Sequence, residues 1–120
     1  MLNYHTNMIT ISIAKDFSRI PGARYPKEGD YSGQEFRITV LCPKLQEALK
    51  NNEKLQVILD GTAGLGTSFL EEAFGGLIRH DHISYEDICK TLVLVSAEDD
   101  DYIDEINEYL SAANEQKDNN

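Results

Sequence analysis

Long apolar runs are missing from this sequence. Nothing in it approaches the roughly 18 consecutive apolar residues that a membrane span needs, and Met1 to Met8 carries neither a basic leader nor the apolar core of a signal peptide. The expectation is a soluble, cytoplasmic protein that does not engage a membrane. Cysteine is scarce as well. Cys42 and Cys89 stand apart in apolar contexts, Val40-Leu41-Cys42 and Ile88-Cys89, and are expected to be buried free thiols rather than a disulfide or a nucleophile. Basic charge is scarce in one region only. Met1 to His80 holds nine acids and nine bases, whereas Asp81 to Asn120 holds twelve acids and two bases, so the whole net charge of −10 sits in the last third. With no basic patch interleaved with aromatics, direct nucleic-acid binding is disfavoured. The acidic third can steer a basic protein partner, or simply keep the chain soluble.

Catalytic motifs are also lacking. His5, His80 and His82 have no spacing that sets a base beside Ser68 or a cysteine, and Ser68 lies outside any Gly-x-Ser-x-Gly elbow. Gly61-x-x-Gly64-x-Gly66-Thr67-Ser68 has neither the lysine nor the glycine spacing of a phosphate-binding loop, and His80-Asp81-His82 has no metal tetrad around it. No catalytic residue, cofactor or metal is therefore assigned, and the chain is read as not an enzyme.

What is present is the alternation of an α/β protein. Its 120 residues suit one domain, with a core over about 8–112 and a frayed tail over 113–120. Met8 to Ala14 alternates apolar and hydroxyl residues as a half-buried strand does. Asp16 to Tyr31 follows as a long loop broken by Pro21-Gly22, Pro26 and Gly29-Asp30, with Arg19 and Arg24 in it. Ser32 and Glu35 form a capping box ahead of Phe36, Val40, Leu41, Leu45, Ala48 and Leu49 at helical spacing. Pro43 within that run should kink or split the helix; a strand over Phe36 to Leu41 is the competing reading.

Leu55 to Asp60 is apolar nearly throughout and reads as the central strand. It runs into the three-glycine loop, and Ser68 with Glu71 forms a second capping box opening a helix to Arg79. Gly75-Gly76 inside that helix suggests close packing against another backbone. Ser84 to Cys89 is a turn or short helix, Thr91 to Ser96 a third strand, and Asp99-Asp100-Asp101 the cap of a last helix that frays from Glu115. The order of elements predicts an α/β fold, a small mixed, largely parallel sheet with packed helices. Binding regions of such sheets lie beyond the carboxyl ends of the strands, where Gly61 to Ser68 falls.

Four blocks of sequence carry a resemblance: Pro21-Gly22-Ala23-Arg24-Tyr25, Ser32-Gly33-Gln34-Glu35-Phe36-Arg37, Leu59-Asp60-Gly61, and above all Ser68-Phe69-Leu70-Glu71-Glu72-Ala73-Phe74-Gly75-Gly76-Leu77. Together they resemble the bacterial and phage STAS-like domain family of unknown function over roughly residues 8 to 110. That family is similar to the STAS domains of anti-sigma-factor antagonists, in which a serine at a helix start is phosphorylated by an ATPase of histidine-kinase fold. The resemblance implies a STAS-like fold and places Ser68, with Thr67 before it, at the phosphoacceptor position. This chain has Gly66-Thr67-Ser68-Phe69 where the antagonists have Asp-Ser-Ser-Gly.

The function expected is a regulatory protein-interaction module. Its phosphoacceptor candidates are Ser68 and Thr67, and its partner-binding candidates are Asp60, Gly64, Gly66, Phe69, Glu72, Arg24 and Arg19, with the two arginines poised to pair with Asp60 or a phosphate. The partner expected is a kinase-like ATPase or another regulator. Two alternatives stand beside it: a phage or mobile-element factor that covers a host protein's basic surface with its acidic C-terminal region, and a small-ligand-binding protein using the Gly61 to Ser68 loop.

Overall fold

A computed structural model describes residues 7–118. Three strands, β1 (Met8–Ser12), β2 (Lys54–Ile58) and β3 (Leu92–Val95), form one sheet in the order β1-β2-β3, parallel throughout, so the central strand is the one its apolar run indicated. Ile9 aligns with Leu55, Ile11 with Val57, Leu55 with Leu92 and Val57 with Leu94. Register partners share a face of the sheet, so these side chains form one apolar layer, and Leu55, Val57 and Leu59 are buried completely or nearly so. The other face carries Met8, Thr10, Gln56, Ile58, Val93 and Val95, all exposed or half-buried.

The first strand ends at Ser12, earlier than its alternation suggested. Ser12 caps a single helical turn, α1 (Ile13–Asp16), by accepting from Lys15 N–H, while Asp16 accepts from Ser12 N–H. The long loop after this turn contains one 3-10 turn, Pro26–Glu28, and closes on itself: Gly22 N–H donates to the Tyr31 carbonyl at 2.7 Å and Gly33 N–H to that of Ala23 at 2.8 Å. Beneath it, Phe17 packs edge-on to Tyr31 and against Phe36, which stacks on Phe69.

Helix α2 spans 33–50 without a break, so the helical reading of Phe36 to Leu41 holds. Ser32 caps it by accepting from Glu35 N–H. Pro43 does not split it. Residues Arg37–Leu41 form a π-helical segment just ahead of the proline, with Cys42 N–H bonded five residues back to Arg37. The wider turn precedes the position where an amide is missing, and the rest, Cys42–Lys50, continues as α-helix. Helix α3 spans 67–79 and is likewise interrupted by a π-helical segment, Glu71–Gly75. α2 and α3 cross at Gly33, where an added Cβ would lie 2.5 Å from the Phe69 carbonyl oxygen. Helix α4 (Tyr85–Thr91) is capped by Ser84, and α5 (Asp101–Asp118) packs against α3. α5 extends beyond residue 112 through much of the expected tail, and its Ala113 is buried. No helix among the described residues is long and apolar enough to cross a membrane.

Candidate functional site

The loop after β2 is built around Asp60. Its carboxylate accepts from the N–H groups of Ala97 and Glu98 at 2.8 to 3.0 Å, and Glu98 returns the contact by accepting from Gly61 N–H at 2.5 Å. This reciprocal clasp ties the exits of β2 and β3 together, so Asp60 does not pair with either arginine as expected. Gly61 sits at φ +95, a conformation side chains disfavour, and an added Cβ would meet that of Ala14 at 3.2 Å. Leu65 is buried, its N–H donating to the Tyr102 hydroxyl of α5, while Gly64, Gly66, Thr67 and Ser68 are all exposed.

The helix start differs from the one its sequence indicated. Gly66 is the N-cap of α3, Ser68 lies in the first turn, and no side chain caps the helix. With the cap at Gly66, Glu71 is not at the capping-box position, and its carboxylate is engaged elsewhere: Arg24 Nη1 contacts its Oε1 at 2.5 Å, and Arg79 binds both its oxygens at 2.5 and 3.0 Å. Burial alone would raise the Glu71 carboxyl, but the hydrogen bonds from Arg79 and Arg24 outweigh it and hold the group below the ordinary carboxylate value.

Two of the expected partner-contacting residues are interior. Phe69 is wholly buried, and Glu72, at 1 % exposure, faces Arg37, whose Nη2 donates to Glu72 Oε2 at 3.1 Å and whose Nη1 donates to Asp81 at 2.8 Å. A large aromatic at the start of an amphipathic helix belongs with its apolar stripe, and a carboxylate is buried only with a charged partner. Arg24 Nη1 and Arg79 Nη2 both lie 3.6 Å from Glu72 Oε1. The result is a six-charge cluster, Arg24, Arg37 and Arg79 against Glu71, Glu72 and Asp81, in which Arg37 Nε and Glu72 Oε1 have no hydrogen-bond partner. Gly75-Gly76 serves this cluster rather than a neighbouring backbone. A Cβ on Gly76 would lie 2.5 Å from Arg37 Nε, and one on Gly75 would lie 2.6 Å from Glu71 Oε2. The sequence signal for it was the glycine pair beside Glu71-Glu72 and Arg79; nothing linear pointed to Arg37 or Asp81 as its far end.

Arg19 is exposed and lines the same cleft as Asp60. That cleft, about 550 Å³, opens on the uncovered sheet face at the ends of β1 and β2, and Thr10, Ser12, Lys15, Asp16, Ile58 and Glu98 also line it. Its three carboxylates, Asp16, Asp60 and Glu98, all accept from backbone N–H groups. Among the described residues no group of three or more His, Cys, Asp or Glu is arranged to hold a metal ion. Cys42 is buried and its thiol is pushed up to about 11 by burial and by Asp81, whereas Cys89 is exposed, contrary to expectation: it lies on the outer side of the short helix α4, which buries Ile88 instead.

Compared with known families, residues 32–102, more than half of the chain, match the model of a STAS-like domain of unknown function. The chain belongs to that STAS-like family. The match takes in the second and third resemblance blocks and the Ser68 to Leu77 block, together with β2, β3 and the Arg37–Glu72 pair. No curated protein and no solved structure matches the chain.

Proposed function

We propose that this STAS-like domain is a non-enzymatic regulatory module that binds another protein through the edge formed by residues 61–68 and the first turn of α3. Ser68, and after it Thr67, is the phosphoacceptor of a partner switch, and the partner is an ATPase of kinase type or a comparable regulator. The observation that carries this reading is the exposure of both hydroxyls on a helix start that has no side-chain cap, just beyond the carboxyl edge of the parallel sheet. A phosphate there adds roughly −1.5 to −2 charges at neutral pH, close to free N–H groups of the first turn, so the fold tolerates it while the surface offered to a partner changes sign. The test is intact-mass analysis after incubation with ATP and a candidate ATPase of histidine-kinase fold. A gain of one phosphoryl group, lost in Ser68→Ala, is expected. No gain, together with unchanged partner binding by Ser68→Asp, would overturn the reading.

A second reading rests on the 550 Å³ cleft. With its carboxylates tied to the backbone, Lys15, Arg19 and Thr10 are the groups left to meet a small ligand. A saturable rise in melting temperature in a screen of nucleotides and small acids would favour it.

A further inference from the structure

All three strands run parallel, and each crossing moves one place across the sheet, from β1 to β2 to β3. Right-handed crossovers in a single direction bring the connecting helices to the same face, and the other face is left open. The central strand shows the result: Leu55 and Val57 are wholly buried, whereas Gln56 and Ile58 are half-buried. Beside them on the open face lie Met8, 45 % exposed, and the half-buried Val93 and Val95. Parallel sheets are almost always covered on both faces, so this apolar face lacks a partner. Its two rims at the carboxyl end carry opposite charge. The exit of β1 brings Lys15 and Arg19, both exposed and in no ion pair among the described residues, and the Asp16 beside them spends its carboxylate on Ser12 N–H. The exit of β3 brings Glu98, which lines the same cleft, followed by Asp99, Asp100 and Asp101.

We propose that a second copy of this chain covers the open face, the two sheets packing face to face about a two-fold axis that runs along β2. Such an axis sets β1 of one copy over β3 of the other with all strands running the same way. The register, Thr10 with Gln56 and Val93, Ser12 with Ile58 and Val95, then lays Thr10 over Val93 of the second copy and Ser12 over its Val95. Lys15 and Arg19 of each copy meet the acidic β3 exit of the other, at both rims at once. An axis across the strands would instead lay each β1 exit over the entry of the same strand, with Met8 and no carboxylate opposite the cations. The charged groups closest to the axis are engaged within their own copy: Asp60 accepts from the N–H groups of Ala97 and Glu98, and Lys54 is turned aside to the Lys90 carbonyl. The footprint of three short strands, about 14 by 16 Å, is smaller than the roughly 800 Å² that a standard interface takes from each partner. The dimer is therefore weak and relies on its charged rims. It closes the 550 Å³ cleft and is independent of any role for Ser68.

Sedimentation equilibrium of the full chain, from micromolar to millimolar concentration in low salt, should show a monomer-dimer equilibrium that weakens as salt is raised. Arg19→Glu should raise the dissociation constant about tenfold, since it turns an attraction into a repulsion at both rims. Lys44→Glu makes the same charge change on α2, in the helix layer, and should leave the constant within about twofold of the parent. A second measurement identifies the face without any substitution. In an equal mixture of isotope-labelled and unlabelled chain, filtered NOEs should join the methyl groups of Thr10 and Val93 across the two copies; within one copy their strands lie about 9.6 Å apart, with β2 between them. A chain that stays monomeric at millimolar concentration, equal effects of the two substitutions, or a dimer without the contact between Thr10 and Val93 would overturn the proposal. A monomer whose melting temperature rises with a small acid would overturn it in favour of a ligand in the cleft.

Discussion

Alanine at position 76 should destabilise this domain, although helix propensity alone predicts the reverse. Gly76 lies within α3 at ordinary helical angles, φ −61 and ψ −25, so replacing it by alanine gains up to about 1 kcal/mol from the backbone. The new Cβ, however, would lie 2.5 Å from Arg37 Nε, 2.8 Å from Cδ and 3.1 Å from Cζ. These atoms are the pinned middle of a buried side chain, with Nη1 held by Asp81 and Nη2 by Glu72, and Arg37 is only 4 % exposed. Relief by shifting the helix costs about 1–3 kcal/mol, as overpacking does elsewhere. Relief by expelling the guanidinium strands Glu72, and breaking a buried pair costs about 3–5 kcal/mol. Set against the propensity gain, shifting the helix leaves a net loss of up to about 2 kcal/mol, and expelling the guanidinium one of about 2–4 kcal/mol. Urea unfolding followed by far-UV circular dichroism suits a chain without tryptophan. Gly75→Ala is the matched control. Its Cβ would meet Glu71 Oε2 at 2.6 Å and Arg79 Nη1 at 2.8 Å, far ends of side chains about a quarter exposed that can swing aside, and exposed pairs are worth about 1 kcal/mol or less. Gly75→Ala should therefore lie within about 1 kcal/mol of the parent. A Gly76→Ala midpoint at or above that of the parent, or equal losses in the two variants, would refute the account of the glycine pair.

Three further outcomes are expected. Gly66→Ser should stabilise the domain by about 0.3 kcal/mol, because the N-cap geometry is already correct, nothing lies within 4 Å of an added Cβ and no side chain now caps the helix; a lower urea midpoint would contradict this. Glu71→Gln should lose stability at neutral pH. The folded carboxyl lies below its ordinary 4.5, so its contribution is complete above about pH 4.5 and fades as pH falls through the folded value; the gap between parent and variant should close in acid, and a gap that widens would be the wrong sign. In the folded protein at pH 7.5 iodoacetamide should modify Cys89 alone, leaving Cys42, which is buried and pushed up to about 11, to react only after denaturation.

The sheet was legible in the sequence because its cues are local. The alternation of Met8 to Ser12, the unbroken run before Asp60 and the Leu-Val-Leu-Val of β3 each fit a different depth in a small parallel sheet. Ser32 likewise announced its helix, accepting from the N–H three residues on, whereas Ser84, which caps in the same way, opens a segment that read equally as a turn. Ser68 carried the same signature and did not cap, because the helix begins two residues earlier at a Gly66 N-cap, and the Glu71 of the expected box answers to Arg24 and Arg79, forty-seven residues back and eight ahead. The local rule lost to a charged partner that only the fold brings near. Asp60 shows the same limit: its place at a strand end was readable, whereas its partners, two backbone amides 37 and 38 residues later, were not.

The two π-helical segments connect these observations. Arg37 opens the one in α2 and Glu72 lies within the one in α3, and the two side chains meet at 3.1 Å in the interior. A π turn adds a residue to a helix and rotates everything after it, so each segment sets the angular position of the helix beyond it, Cys42 to Lys50 in one case and Gly76 to Arg79 in the other. Removing a residue from either would turn the remaining helix by about 100°, one residue's share of a 3.6-residue turn. In α3 that rotation separates Glu71, which opens the segment, from Arg79, which lies beyond its far end. The wide turns, the glycine pair and the arginines thus constrain one another, and the edge bearing Thr67 and Ser68 inherits its position from a charge cluster that Arg24 extends to the surface.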